Sequence, residues 1–432
     1  MNQQTPTLSR RGFLGGVGAV TAGALLTNSA TAAAAPALGH PQLPPPADSG
    51  IEHIVVVMME NRSFDHYLGW LPGADGRQAG LAYRDRTGVR RPTHHLTDFQ
   101  GCAHPDPDHS YEGGRIELNN GRCDGWLLAG QNDDFATGYY TGADLSFYGQ
   151  AAPYWTACDS YFSATMAETY PNRFYQHSAQ TDRTHNSTVT ATMPTIWDRL
   201  AAAGVSGTYY YSDVPFLSLY GTKYLSISEP YPAFLTAAAT GTLPAVSYVD
   251  PRFLDEATGS SADDHPHADI RAGQAFLSQV YDAITGGPGW SKTMLVINYD
   301  EWGGFFDHVA PTTAPDARPD LGTGLRGFRV PCLVISPRAR RQHIAHGTYD
   351  HTSVLKAIEW RFNLAPLTPR DAAAANLAEV LDFTTPPNLT APAFAVPPFI
   401  GTPCATNGLD DYEEWRTLAT LARTHGFTVP TT

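Results

Sequence analysis

The first long apolar run begins at His53, where "HIVVVMM" passes directly into Glu60, Asn61 and Arg62. An unbroken, β-branched run of this kind predicts a strand in a sheet buried on both faces. Similar runs recur at "GTYYYSD" (207–213), "AVSYVD" (245–250), "TMLVINYDE" (293–301) and "PCLVISPRA" (331–339). Among and after them, helical periodicity predicts helices in "TIWDRLAAAG", closed by Gly204, in "DIRAGQAFLSQVYDAITGG" and in "TSVLKAIEWRFN". Strands alternating with helices predict an α/β fold with helices on both faces of the sheet.

Elsewhere the pattern loosens. Residues 83–172 read as long loops rich in Gly, Asp, His and aromatics, and loops of that length commonly carry function. The ends are separate from the core domain, expected over residues 51–364. Residues 36–50 read as a Pro-rich linker, and residues 365–432 as an Ala- and Pro-rich arm ending in a short helix and packed on the core. In residues 1–35, a twin arginine precedes a modest apolar run and a stretch of small residues. That is the pattern of a Tat export signal, with the Tat machinery as partner and a secreted or cell-envelope destination. The run is too short and Gly-rich for a membrane span.

Composition narrows the classes. The 432 residues are 42% hydrophobic, ample for one large core. Net charge is −14, and loss of the signal removes two arginines and no acid, giving −16. The electrostatic footprint of a nucleic-acid binder is absent. The same acidity argues against docking on anionic lipid by charge alone. Five cysteines without a CxxC spacing suit one or two disulfides with at least one thiol left over, and spacing does not choose the pairs.

Candidate chemistry collects at strand ends, where open α/β sheets bind ligands. One strand ends in Glu60-Asn61 and another in Asp300-Glu301. Three carboxylates and an amide form a hard-cation set suited to Ca²⁺ first, and also to Mg²⁺ or Mn²⁺. In "AETYPNRFYQHSA", Thr169 precedes a helix start, where a hydroxyl activated by a metal becomes a nucleophile. Arg173, one turn later, either anchors a phosphate oxygen or pairs with a carboxylate. Histidines cluster beside acids in "HPDPDHS", "ADDHPHAD", "GGFFDHV" and "YDHTS", and a histidine is the usual proton donor near neutral pH.

The segments "ENRSFDHYLGW", "TYPNRFYQHSA", "DDHPHADIRAGQAF", "YDEWGGFFDHV", "GFRVPCLVISPRA" and "YDHTSVLKAIEWRF" resemble, in order, the phosphoesterase family of bacterial and plant non-specific phospholipases C and related acid phosphatases. The resemblance implies an alkaline-phosphatase-like three-layer sandwich, with a central, mostly parallel sheet flanked by helices. It implies a metal held by Glu60, Asn61, Asp300 and Glu301, and Thr169 as a nucleophile that touches it. It also implies a phosphate pocket lined by His109, His265 and His308, and His351 falls within a matching motif; His351 and Arg173 are expected as further substrate contacts. The expected activity is that of a phospholipase C acting on phospholipids such as phosphatidylcholine, the alternative being a phosphomonoesterase with the same site. Membrane contact would be peripheral and would come from the core or the arm. Trp302 stands where relatives commonly carry a small residue or His, which leaves the shape of the pocket beside the metal open.

Overall fold

The computed structural model describes residues 42–404 and 414–430; the expected export signal lies outside them. Eight strands form the central sheet: β1 (His53–Met59), β2 (Thr156–Cys158), β3 (Gly207–Tyr211), β4 (Ser228–Pro230), β5 (Val246–Asp250), β6 (Thr293–Tyr299), β7 (Cys332–Ile335) and β8 (His343–Ala345). Their spatial order is β8-β2-β7-β6-β1-β5-β3-β4. All are parallel except β7, which runs against both its neighbours.

The five strands expected from apolar runs are present. Strands β2, β4 and β8 span three residues each, too short to show any periodicity in sequence. Strand β1 lies at the centre, paired with β6 from His53↔Thr293 to Met59↔Tyr299. That register brings Glu60 and Asp300 out side by side at the carboxyl end of the sheet. Val55, Val57, Leu295 and Ile297 have no exposed surface, as strands covered on both faces require.

Six helices matter for the site: α1 (Phe64–Leu68), α2 (Tyr111–Leu118), α3 (Thr169–Ser178), α4 (Ile270–Thr285), α5 (His351–Phe362) and α6 (Glu414–Thr424). Helices α3 and α5 pack together, and α4 packs against the helix Tyr231–Thr240. Asp350 caps α5 by accepting from Thr352 N at 2.9 Å, and Asp269 caps α4 by accepting from Arg271 N at 3.0 Å.

After α5 the chain lies along the core. Tyr281 donates its hydroxyl to Pro392 O at 2.8 Å, and Trp290 donates Nε1 to Leu389 O at 2.9 Å. Cys102 and Cys404 form a disulfide between residues 302 apart, while Cys123, Cys158 and Cys332 are buried thiols. Helix α6 buries Trp415, Leu418, Ala419 and Ala422. Among the described residues no helix is long and apolar enough to cross a membrane.

Candidate active site

At the tip of β1 the chain turns sharply. Asn61 adopts φ 61°, a left-handed conformation that asparagine tolerates better than most residues. Its N–H donates to Asp300 Oδ1 at 3.1 Å, and Glu301 N donates to the same oxygen at 2.7 Å. Gly303, at φ 61°, backs onto this turn, and a Cβ there would lie 2.2 Å from the Asn61 carbonyl oxygen. The glycine after "YDEW" is therefore a packing necessity. The two strand ends are thus locked together before any ligand is considered.

Thr169 opens α3 directly above them. Its Oγ1 lies 3.5 Å from Asn61 Oδ1, and the amide Nδ2 of Asn61 lies 3.5 Å from His109 Nε2. His109 Nε2 is 4.0 Å from Glu301 Oε1. Asn61, Thr169 and His109 line a cavity of about 680 Å³, joined by His265, Asp106, Glu168, Glu256, Glu414 and Trp415.

Burial raises the Glu60 and Glu301 carboxyls well above their ordinary range, more than Arg173 and His109 respectively lower them. Burial likewise pushes Asp300 up to about 6, against the pull of Arg173. His109 goes the other way from a buried imidazole. Burial would lower it, but Glu301 and Asp106 outweigh that and hold it up to about 10. His265 is lowered by burial, with Asp106 3.4 Å from its Nε2 opposing. One cavity therefore holds a charged histidine and a neutral one.

Among the described residues, Glu60 Oε2 and Glu301 Oε1 are buried acceptors with no hydrogen-bond partner. Orphaned carboxylate oxygens beside an amide and a hydroxyl fit an oxygen-coordinated cation. Asp300, the remaining expected carboxylate ligand, is already held by hydrogen bonds. Its Oδ1 accepts the two backbone N–H groups, and its Oδ2 accepts Arg173 Nε at 3.2 Å. Glu60 also belongs to a second close acidic group, with Glu256 and Asp263.

Three expected substrate contacts lie elsewhere. Arg173 is 1% exposed and sits beneath the cavity, pairing with Asp300 and, at 3.5 Å, with Asp250. Of its two alternatives, the structure shows carboxylate pairing. His308 does not line the cavity. Its Nδ1 bonds Asp65 Oδ2 at 2.6 Å and its Nε2 lies 3.2 Å from Asp75. Arg329 completes that cluster by donating to Asp65 at 3.1 Å and to Asp307 at 3.0 Å. The motifs around Asp65, His308 and Arg329 thus brace one another through buried charge. His351 is fully buried, donating Nε2 to Tyr299 O at 2.9 Å, while Nδ1 faces Ala164 N at 3.4 Å. Burial holds it down to about 4, so it is neutral and links β6 to the loop before Thr169.

Trp302 points away from the cavity, donating Nε1 to Glu117 Oε2 at 2.7 Å within a small aromatic cluster. Sequence reasoning passed over Asp106, Glu168, Glu256, Glu414 and Trp415. The first two lie within the quoted segments "HPDPDHS" and "AETYPNRFYQHSA" but were given no role there. Glu414 and Trp415 come from the arm, where no spacing signals them. Trp415 stacks on Phe253 with ring centroids 3.9 Å apart, which seats α6 against the site.

A model of the Phosphoesterase family matches residues 51–365. The chain belongs to this family. It is therefore a phosphoric ester hydrolase, as the six motifs implied. Phospholipase C B of Mycobacterium tuberculosis (strain H37Rv) is 33% identical over 422 residues, covering 79% of this chain and 80% of that protein. Phospholipase C A of the same strain is 31% identical, covering 90% and 88%. Non-specific phospholipase C6 of Arabidopsis thaliana is 29% identical, covering 80% and 74%. Among solved structures, a phosphonate monoester hydrolase of Agrobacterium radiobacter matches this phosphoesterase with TM-score 0.37 at 10% identity, covering 78% of each chain.

Proposed function

We propose that this phosphoesterase is a secreted phospholipase C, cleaving the glycerol-side phosphodiester of phospholipids such as phosphatidylcholine to diacylglycerol and a phosphorylated head group. The observation that carries the reading is the Thr169 hydroxyl, 3.5 Å from the Asn61 amide that His109 also approaches. A divalent cation, Ca²⁺ first and Mg²⁺ or Mn²⁺ as alternatives, would be held by Glu60, Asn61 and Glu301 with Thr169, Asp300 orienting the group. Bound there, it would supply positive charge to the phosphoryl oxygens and lower the Thr169 pKa.

The protein's own groups divide the remaining work. Thr169 Oγ1 forms a bond to phosphorus as the bond to the glycerol oxygen breaks. Charged His109 holds a non-bridging oxygen. His265, neutral at rest, takes the threonine proton and returns it to the departing alcohol; it then takes a proton from the water that releases the head group and returns that proton to the departing Thr169 Oγ1. Asn61 fixes the threonine, and Arg173 fixes Asp300 from below.

Charge at the cavity favours the diester over the monoester. Asp106, Glu168, Glu256 and Glu414 all line it, and among the described lining residues His109 alone offers positive charge. A phosphomonoester dianion meets more repulsion there than a zwitterion whose ammonium faces the acids. The deciding assay compares purified protein on phosphatidylcholine vesicles and on an aryl phosphate monoester, with and without chelator. Lipid hydrolysis that chelator suppresses is expected; activity on the monoester alone would overturn the reading.

A further inference from the structure

Despite the acidity of the chain, its basic groups are unevenly placed. Residues Ala82–Arg84 and Arg90–Pro92 pair as an antiparallel hairpin, and Arg84, Arg86, Arg90 and Arg91 all project from it. Beneath it lies a cavity of about 400 Å³, separate from the catalytic one, whose lining includes Arg77, Arg84, Arg90, Arg122 and Leu128. Three aspartates share this surface, and each is already engaged. Asp85 holds Arg91 at 2.8 Å, Asp124 lies 3.5 Å from Arg122, and Asp75 bonds His308. Six arginines against three aspartates leave three positive charges. Arg84 and Arg90 donate only to backbone carbonyls, Gly88 O and Ala82 O, which neutralise nothing.

Apolar groups sit among these charges. Val89, at the hairpin tip, is 49% exposed, and Leu128, on the cavity rim, is 40% exposed. The hairpin is also fastened to the catalytic mouth. Arg86 Nη2 donates to Ala129 O at 2.8 Å and to Gly130 O, and Gly130 lines the catalytic cavity.

We propose that this hairpin and the arginine-rimmed cavity under it form a docking surface for an anionic phospholipid bilayer, holding the catalytic mouth against the membrane. Arginine guanidinium groups pair with lipid phosphates, while Val89 and Leu128 enter the headgroup boundary. The whole-chain charge does not forbid this. At physiological salt the Debye length is about 8 Å, so acids on remote faces are screened while the local arginines act at contact. The value of the surface rests on the phospholipase reading, but its existence does not.

The test is sedimentation of the full-length protein with phosphatidylcholine vesicles, with and without phosphatidylglycerol, at low and high salt. Wild type should partition onto the anionic vesicles at low salt and leave them at high salt. Each juxtamembrane arginine is worth about a factor of five, so Arg84→Gln with Arg90→Gln should weaken partition about 25-fold. Val89→Asp should weaken it also. Turnover on a soluble short-chain phosphodiester should be unchanged in all variants. Equal partition of wild type and the double variant, or no preference for anionic vesicles, overturns the proposal. So does tight binding of inorganic phosphate at the same arginines without vesicle binding. Vesicle binding without lipid hydrolysis would leave the docking surface standing and remove the phospholipase reading instead.

Discussion

Arg173 donates from Nε to Asp300 Oδ2 at 3.2 Å, beneath the cavity and out of reach of solvent. The same guanidinium lies 4.0 Å from Glu60 Oε1 and stacks over the Phe253 ring, so one side chain orients acids from both strand ends. Replacing it by methionine leaves buried carboxylates without their counter-charge, which costs about 3–5 kcal/mol. Arg173→Met should therefore lower the melting temperature and raise the metal concentration needed for half-maximal activity. Calorimetry and a metal titration check both, and unchanged metal dependence would remove its orienting role.

Thr169→Ala should lower turnover at least ~10³-fold, because among the described residues no other hydroxyl bonds Asn61. Thr169→Ser should retain part of the activity. Single-turnover kinetics with mass spectrometry of the quenched enzyme follow the phosphorylated residue. Near-wild-type turnover of the alanine variant would refute the nucleophile assignment.

The two histidines assigned to different places should separate in kinetics. His265→Gln should slow substrates with poor leaving groups far more than those with good ones. His308→Gln removes a charge-assisted bond to buried Asp65, costing about 1.5–3 kcal/mol of stability, and should leave the leaving-group dependence unchanged. Comparing alkyl and aryl phosphodiesters, beside melting curves, measures each effect.

Glu359 offers a pH test away from the site. Burial, with the Asp371 carboxylate beside it, raises its carboxyl from 4.5 to about 9. A raised folded pKa contributes stability that is complete below 4.5 and is lost as pH rises toward 9. Glu359→Gln removes that loss. The variant should match wild type near pH 4 and exceed it by about 1–3 kcal/mol at pH 8. Denaturation at the two pH values checks this; an equal difference at both would refute it.

Export carries its own prediction. Replacing Arg10 and Arg11 by lysines should trap the protein inside the cell, because the twin-arginine signal is read by a receptor. Fractionation followed by immunoblotting reads the outcome. Undiminished secretion would rule out the Tat route.

The sequence made β1 and β6 legible, because an uninterrupted apolar run has few structural alternatives. It also showed the polar residues at their ends. The side chain's direction was not legible. His308 follows two glycines at positive φ, and that turn carries its imidazole to Asp65 instead of the catalytic cavity. Residue type and neighbours are the same on either course, so only the folded turn distinguishes them. Arg173 was ambiguous for a related reason, since an arginine near a phosphate site also serves the acids that build it. Trp415 lay beyond inference, because its place depends on an arm that returns across the whole core.

That return has a consequence for biosynthesis. Glu60 follows directly on β1, whereas Trp415 lies in α6, the last helix among the described residues, and lines the cavity. A ribosome-bound chain can complete the sheet long before it can complete the cavity. The site thus stays unfinished until the segment carrying Trp415 has been made, a built-in delay between folding the scaffold and acquiring catalytic competence.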